Sequence, residues 1–378
     1  LTPPPAADDH LPCGREHWLL ASALVAVTSA SPGGRADPSR SVRIRDVARR
    51  AGVSHMTVSR VINGHPHVKE ATRQQVLAVI REMEYRPSRL ARELSLGASR
   101  TVTVLTANPT LHGPAALLQG VEEAARAAGF SVGVCVLDSA DPAAVAQSVD
   151  RVCDPSTGGV IVIAYDLAGV RALRVLPTGV RVVAALEATD ARAGRRYPSV
   201  MLDDRSAAAA ATRHLLSLGH RTVHYVAAPS STRASPRTQG WRAALRAAGA
   251  DVPRVVTAGW SPASGYRRGR PLAANRDVTA VLCGNDDLAF GVIHAMREAG
   301  RPVPDEVSVV GFDDIPQAAF YAPPLTTVRL DFVGLGRDCF RLIRDTGAPA
   351  TAAPPELVIR ASAGPPPKGR MCIRRISP

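Results

Sequence analysis

Lysine is nearly missing from this chain: only Lys69 and Lys368 among its 46 basic residues are lysines. With alanine, proline and glycine so common, the preference for arginine follows a GC-rich genome as readily as a function. The net charge of +13 is therefore weak evidence of a partner by itself. The six cysteines (13, 135, 153, 283, 339, 372) form no CxxC and join no histidine pair at zinc spacing. They read as reduced, buried thiols of a cytoplasmic protein rather than as disulfides or metal ligands. "HPH" at 65–67, two histidines around a proline, is no metal site either. No apolar run reaches the ~18 residues of a membrane span. A nucleophile elbow, a P-loop and a metal-ligand cluster are absent too, and "GLGRDC" (334–339) lacks the spacing of a dinucleotide loop. No enzyme, cofactor or membrane partner is expected.

What is present is unevenly spread. Residues 40–100 carry 13 Lys/Arg against 5 Asp/Glu, whereas residues 101–365 carry 27 against 24. A basic module thus precedes a nearly neutral body, and such a module can neutralise phosphates and release counterions. Residues 1–40 are Pro- and Ala-rich without a sustained period. "WLLASALVAVTSAS" (18–31) imitates the apolar core of a signal peptide, but only Arg15 stands ahead of it as a firm positive charge. The expectation is a disordered extension, much of it upstream of the true start, which falls at Val42 if its codon is GTG.

Within the module, Ile44, Val47, Ala48 and Ala51 recur at helical spacing, and Gly52 suits a left-handed helix end. Ser54 is placed to cap a second helix whose Val58, Val61 and Ile62 face inward. Asn63-Gly64 closes that helix. A third helix over about 69–83 buries Val76, Val79, Ile80 and Met83. Three short helices with a glycine turn between the first two make a helix-turn-helix, whose second helix enters the major groove. Ser54, His55, Met56, Thr57, Ser59, Arg60 and Asn63 are the expected DNA-binding residues there. A purely structural three-helix module needs no polar, basic face on its second helix.

"IRDVARRAGVSHMTVSRVING", "TRQQVLAVIREMEYRP" and "RLARELS" resemble the DNA-binding headpiece of the lac repressor (LacI/GalR) family, nearly continuously from Val42 to Arg100. The resemblance implies that "PSRLAREL" (87–94) is a hinge helix formed when two protomers meet on an operator. Arg89 contacts the DNA and Leu94 wedges into the minor groove in that reading, as apolar side chains that kink a base step do; an ordinary linker leucine is the alternative. Two positions depart from the family. Met56 stands where a polar reader is common, so it is expected to pack on a thymine methyl and leave polar contacts to His55 and Arg60. Lys69 stands where a serine cap is usual, and a missing cap costs about 0.5–2 kcal/mol.

After Arg100, apolar segments such as "TVTVLTA" (101–107), "SVGVCV" (131–136), "GVIVIA" (159–164), "TVHYVA" (222–227), "TAVLCG" (279–284) and "VSVVGF" (307–312) alternate with Ala-rich helical stretches. That alternation predicts parallel sheets covered on both faces, in two subdomains, with ligand bound beyond the carboxyl ends of strands. Asp203-Asp204, Asp286-Asp287 and Asp313-Asp314 end or follow such strands, where acids often do no more than cap the next helix, although Asp286 also points into the expected crevice. Asp286 reads most simply as a cap.

"CGNDDLAFGVIHAMREAGRPVPDEVSVVGFDDIPQAAFYAPPLTTVRLDF" resembles the effector domain of the same family, which is built like periplasmic sugar-binding proteins. This similarity runs with gaps from about 101 to 364. It implies that Arg237 binds the effector, Asp286 accepts its hydroxyls and Trp260 packs on its ring, with Glu187 and Phe332 as further lining. Trp260 as a core aromatic is the plain alternative. Leu330 stands where glutamine is common, so contacts at the subdomain crossover are expected to differ.

The expected protein is α/β: an N-terminal all-α helix-turn-helix headpiece (41–86) with a hinge helix and linker (87–100), then two doubly wound parallel-sheet subdomains (101–364) and a basic tail (365–378). It is expected to be a homodimeric repressor that binds a pseudo-palindromic double-stranded DNA operator under control of a small effector, a sugar or derivative. No leucine heptad follows residue 364, which speaks against a tetramer. A secreted sugar-binding protein and an enzyme on this scaffold are the competing classes. The headpiece argues against the first, and the missing catalytic constellation against the second.

Overall fold

The computed structural model describes residues 42–86, 100–153, 158–187, 196–232 and 235–367. The extension over 1–40, the hinge segment with Arg89 and Leu94, and the tail from Lys368 onward lie outside the described residues. The chain divides into two compact units, Leu1–Pro87 and Ser88–Pro378.

In the first unit, α1 (Ile44–Arg50), α2 (His55–Ile62) and α3 (Glu70–Glu82) enclose one small core. Val47, Ala48, Ala51, Val58, Val61, Val76 and Val79 fill it, and each fully buried valine contributes about 1.5–3 kcal/mol. Gly52 takes φ 62 at the turn between α1 and α2, a conformation open to glycine without strain. Ser54 Oγ accepts from Thr57 N at 3.1 Å and so caps α2. Lys69 leads α3 without any side-chain cap bond. Gln75 Nε2 donates to the Ala51 carbonyl at 3.0 Å, satisfying the end of α1.

The second unit holds two parallel sheets. The first joins β1 (Thr101–Thr106), β2 (Ser131–Val136), β3 (Gly159–Ala164), β4 (Val182–Leu186) and β5 (Ser199–Met201) in the order β2-β1-β3-β4-β5. Every residue of β3 and β4 is buried, as strands covered on both faces require. Helices α4 (His112–Ala127), α5 (Pro142–Val152) and α6 (Leu167–Val175) connect these strands.

The second subdomain begins with α7 (Asp204–Ser217) and orders its sheet β7-β6-β8-β9, from β6 (His224–Ala227), β7 (Val256–Thr257), β8 (Ala280–Cys283) and β9 (Ser308–Val310). Helices α8 (Pro236–Ala247), α9 (Pro262–Ala274) and α10 (Asp286–Glu298) cover it. A short antiparallel pair, β10 (Thr327–Arg329) with β11 (Glu356–Val358), continues beside β9 through the Val310–Thr326 and Asp313–Arg329 bridges.

The last helix, α11 (Phe332–Arg344), returns to the first subdomain, where Leu335, Cys339, Phe340 and Ile343 join the core under β1, β3 and β4. It lies against α4 at backbone contact: a Cβ on Gly336 would overlap the Leu117 carbonyl, and one on Gly120 would overlap that of Val333. Among the described residues the chain thus passes between the subdomains three times, after β5, at Asp331 and ahead of β11. Leu330 at the second passage is buried in the core of the second subdomain, an apolar contact where a glutamine would need partners.

The six strands read from apolar runs all form, as do the helices expected over 114–128, 205–218, 237–248 and 286–299, with ends shifted by a few residues. Strands β4, β5, β7, β10 and β11 and helices α5, α6, α9 and α11 are additional.

Candidate functional site

In each sheet the connections turn to opposite faces on either side of one strand, so the loops part at the carboxyl edge and leave a crevice. A cavity of about 970 Å³, counting the part open to solvent, occupies that place. Its first wall is Thr106 at the end of β1 and Asn108 past it, Tyr165 and Asp166 past β3, and Glu187 past β4. Its second is Arg237 on α8, Trp260 ahead of α9, Asn285 and Asp286 past β8, and Asp313 past β9. Phe332 enters from the start of α11. All five of the sequence-predicted effector residues, Arg237, Trp260, Asp286, Glu187 and Phe332, line this one cavity.

Arg237 is the centre of its polar wall. The α8 N-terminus, capped by Ser235 Oγ on Thr238 N at 3.1 Å, fixes the backbone that carries it. Arg237 Nε donates to Asp204 Oδ2 at 3.0 Å, and Nη2 lies 3.3 Å from Asp313 Oδ1. Nη1 donates to the Gly284 carbonyl, and the guanidinium plane stacks 4.0 Å from the Phe312 ring centre. Burial opposes its charge, but the two carboxylates outweigh burial and hold it protonated. Burial raises Asp204, and it lifts Asp313 to about 7 against the pull of Arg237.

Asp286 is not a helix cap. Asn285 occupies that position, its Oδ1 accepting from Leu288 N at 2.8 Å. Asp286, one residue further, is fully buried and turns toward β9 and β10. Thr327 Oγ1 donates to its Oδ1 at 2.5 Å, and Ile315 N to its Oδ2 at 2.8 Å. Gly311 makes room for it, since a Cβ there would strike Asp286 Oδ1. Burial, with Asp313 next, lifts its carboxyl to about 8. The expected hydroxyl acceptor already has a protein donor on each oxygen.

Glu187 is held in the same way. Its Oε2 accepts from Ser230 Oγ at 2.7 Å and from Ser231 N and Oγ at 3.1 Å each, a bridge from the first subdomain to the loop after β6. Trp260 is partly exposed at the cavity wall, where its carbonyl accepts from Asn285 Nδ2 at 3.1 Å; its place is the cavity edge and not a core. Phe332 is buried, and its ring meets His112 edge-on at 6.1 Å. Burial lowers the His112 pKa, against the raising effect of Asp314 and Asp287.

Sequence reasoning left out Asp204, Asp313, Asn285, Asn108, Tyr165 and His112 as lining residues. Most of them stand just past the carboxyl end of an apolar strand, the one signal that would have found them. Of the acid pair at 203–204, Asp203 caps α7 by accepting from Ser206 N at 3.0 Å, which leaves Asp204 to face the cavity. No group of His, Cys, Asp or Glu among the described residues is arranged to hold a metal ion, and no described helix is long and apolar enough to cross a membrane.

In the first unit, α2 presents the expected DNA-binding residues. Ser54, His55, Met56, Arg60 and Asn63 are exposed and Thr57 and Ser59 half-buried. Met56 is 55% exposed on a helix whose Val58 and Val61 are buried behind it. Asn63 Nδ2 reaches Ser59 Oγ at 3.4 Å, and Ser54 is occupied as the cap.

Residues 43–88 match the model of bacterial regulatory proteins of the lacI family, and residues 212–363 match a periplasmic binding protein-like domain. The chain is 32% identical over 298 residues to the lactose operon repressor of Escherichia coli (strain K12), covering 78% of this chain and 82% of that one. The chain belongs to the lacI family. The HTH-type transcriptional regulator reg1 of Streptomyces lividans is 35% identical over 338 residues, which cover 85% of this chain and 96% of that protein. The HTH-type transcriptional repressor PurR of Haemophilus influenzae is 31% identical over 336 residues, covering 84% and 98%. The crystal structure of the lac repressor dimer bound to operator and the anti-inducer ONPF matches with a TM-score of 0.77 at 28% identity, over 86% of this chain and 100% of that chain. The transcriptional regulator CelR–cellobiose complex matches with a TM-score of 0.61, also at 28% identity, over 85% and 100%. As a lacI-family member the protein is a DNA-binding repressor with an effector-binding domain, in a family without enzymatic activity.

Proposed function

We propose that this repressor acts as a homodimer on a pseudo-palindromic operator and that a sugar or sugar derivative, bound in the cavity between its subdomains, sets its operator affinity. The headpiece over 41–86 docks α2 in the major groove. His55 and Arg60 make polar contacts to bases or phosphates, Met56 packs on a thymine methyl, and Ser54, Thr57, Ser59 and Asn63 support them. The segment 87–100 carries Arg89 and Leu94 to the operator centre, and 101–364 holds the effector.

The observation that carries the effector reading is the cavity itself: five residues from distant parts of the sequence, among them one cation and two aromatic side chains, meet at the carboxyl ends of two sheets. An aromatic wall covers the C–H face of a sugar ring while charged groups take its hydroxyls. Glu187, anchored by Ser230 and Ser231 of the opposite subdomain, couples occupancy to the relative position of the subdomains. Ligand and operator then alter each other's affinity by one common factor.

The test is selection of bound sequences from a random DNA pool at near-physiological salt, with and without a panel of sugars. A palindromic site whose enrichment one sugar weakens or strengthens is the expected result. Enrichment of no sequence refutes the operator reading, and a palindrome indifferent to every sugar refutes the effector reading.

A further inference from the structure

Among the described residues the charges of the cavity do not balance. Arg237 stands between Asp204 and Asp313, one guanidinium against two carboxyls. Asp204 is only 6% exposed. Asp204 keeps a buried Oδ1 without a hydrogen-bond partner, while Asp313 Oδ1 has only the ion pair with Arg237 Nη2 at 3.3 Å. An orphaned buried oxygen is unfavourable, and an unpaired buried charge is more so. Both oxygens are acceptors, so whatever completes this wall must donate. Glu187 adds a further acid to the wall, while Asp286 keeps its proton to about pH 8 and adds little charge near neutral pH. Among the described lining residues Arg237 is joined as a base only by His112, whose charged form burial disfavours. A phosphate or carboxylate entering here meets acids and an arginine already shared by two of them. A neutral polyol supplies donors but no charge. A protonated amine supplies both.

We propose that the cavity selects a hydroxylated amine, an amino sugar or aminocyclitol, whose ammonium group donates to Asp204 Oδ1 and Asp313 Oδ1 beside Arg237. This rests on the reading of the cavity as the effector site and narrows its ligand. Trp260 covers the ring of such a molecule, and an adjacent cationic nitrogen gains from the aromatic face.

Without a ligand the triad relieves its excess charge by keeping a proton near neutral pH, since burial lifts Asp313 to about 7. The charged and titratable groups that face Asp313 are Arg237, Asp204, Asp286, Asp287 and Tyr165. An entering ammonium favours the ionised carboxyls, so binding releases a proton.

Isothermal titration of the full chain with matched probes tests this. The probes are glucosamine, galactosamine and mannosamine, with the parent hexose, the N-acetyl derivative and the hexose 6-phosphate of each. The expected result is that one amine binds at least about tenfold tighter than its parent and its N-acetyl derivative, as a partly buried charge pair allows. Its heat then depends on the ionisation enthalpy of the buffer, which registers the released proton. In Asp204→Asn and Asp313→Asn, each checked for folding by thermal melting, the ratio of amine to hexose affinity collapses toward one. A hexose, N-acetyl sugar or sugar phosphate that binds as tightly as the amine overturns the amine assignment and leaves the cavity as an effector site. Binding of no probe removes the amine assignment and leaves the sugar reading without support as well.

Discussion

Asn285 holds Trp260 and α10 with one side chain: its Nδ2 donates to the Trp260 carbonyl at 3.1 Å, while its Oδ1 caps the helix on Leu288 N at 2.8 Å. The aromatic wall of the cavity is thereby tied to the most buried helix of the second subdomain. Asn285→Ala is expected to lose about 0.5–2 kcal/mol of stability, the value of a helix cap. It also frees the Trp260 loop, which tryptophan fluorescence quenching by acrylamide will register as increased access. A loss of stability with unchanged quenching would mean that the wall is held by other contacts.

Asp313 and Asp286 keep their protons to about pH 7 and about pH 8 in the folded chain, against a reference of 3.8. Between those values the folded state binds more protons than the unfolded one. Their stabilising contribution is therefore complete below the reference value and is lost as pH climbs through 7 and 8. The histidines lowered by burial, His112 and His220 among them, act in the opposite direction around 6.5. The difference between wild type and Asp313→Asn isolates the carboxyl: the variant should gain in relative melting temperature as pH rises from about 6 to about 8.5. Parallel pH curves for the two proteins would contradict this.

Lys69 puts a cation at the positive end of α3 and offers no oxygen to its free N–H groups. Lys69→Ser supplies a cap and removes the repulsion, so the headpiece should gain about 0.5–2 kcal/mol. Hydrogen exchange of the α3 amides, slowed in the variant, checks it.

Gly336 and Gly120 let α11 and α4 touch backbone to backbone. With a Leu117 carbonyl in the way of any Cβ on Gly336, Gly336→Ala should cost about 1–3 kcal/mol by overpacking. Urea unfolding will show it as a lower midpoint, although alanine raises intrinsic helix propensity.

Arg60 is exposed one turn beyond His55 and Met56 on α2. If it contacts a phosphate, Arg60→Ala reduces the slope of log affinity against log salt by about one and weakens all sequences alike. If it reads a guanine, the loss is about 1–3 kcal/mol and confined to the selected site. Fluorescence anisotropy on specific and random duplexes at several salt concentrations separates the two. No loss on either duplex would remove Arg60 from the DNA surface.

The first unit was readable almost residue by residue, because Val47, Val58, Val61 and Val76 report their burial through helical spacing and Gly52 and Ser54 through local backbone chemistry. In the second unit the long apolar strands were equally plain. What escaped was short or diluted: β5, β7, β10 and β11 span two or three residues, and β4 follows a proline-glycine turn with alanines in its middle. The return of α11 to the first subdomain is a long-range fact that no window of sequence contains. Arg237 and Trp260 drew attention by residue type and resemblance. Asp204 and Asp313 did not, since an acid after a strand looks the same whether it caps a helix or faces a cavity. Asp203 and Asn285 do the capping, and that assignment depends on backbone direction to within one residue.

Two of the three passages of the chain between subdomains, the second and the third, are laced together. Asp331 Oδ1 accepts from Gly334 N at 2.8 Å and caps α11, while its Oδ2 accepts from Ala353 N at 2.9 Å, just ahead of the third passage. Straps fastened to each other in this way behave more as a door hinge than as a ball joint: they resist swivel more than swing about one axis. Phe332 stands beside the pin of that hinge with its ring in the cavity, so a molecule that pushes on it acts on the swing itself, with little motion lost to other directions.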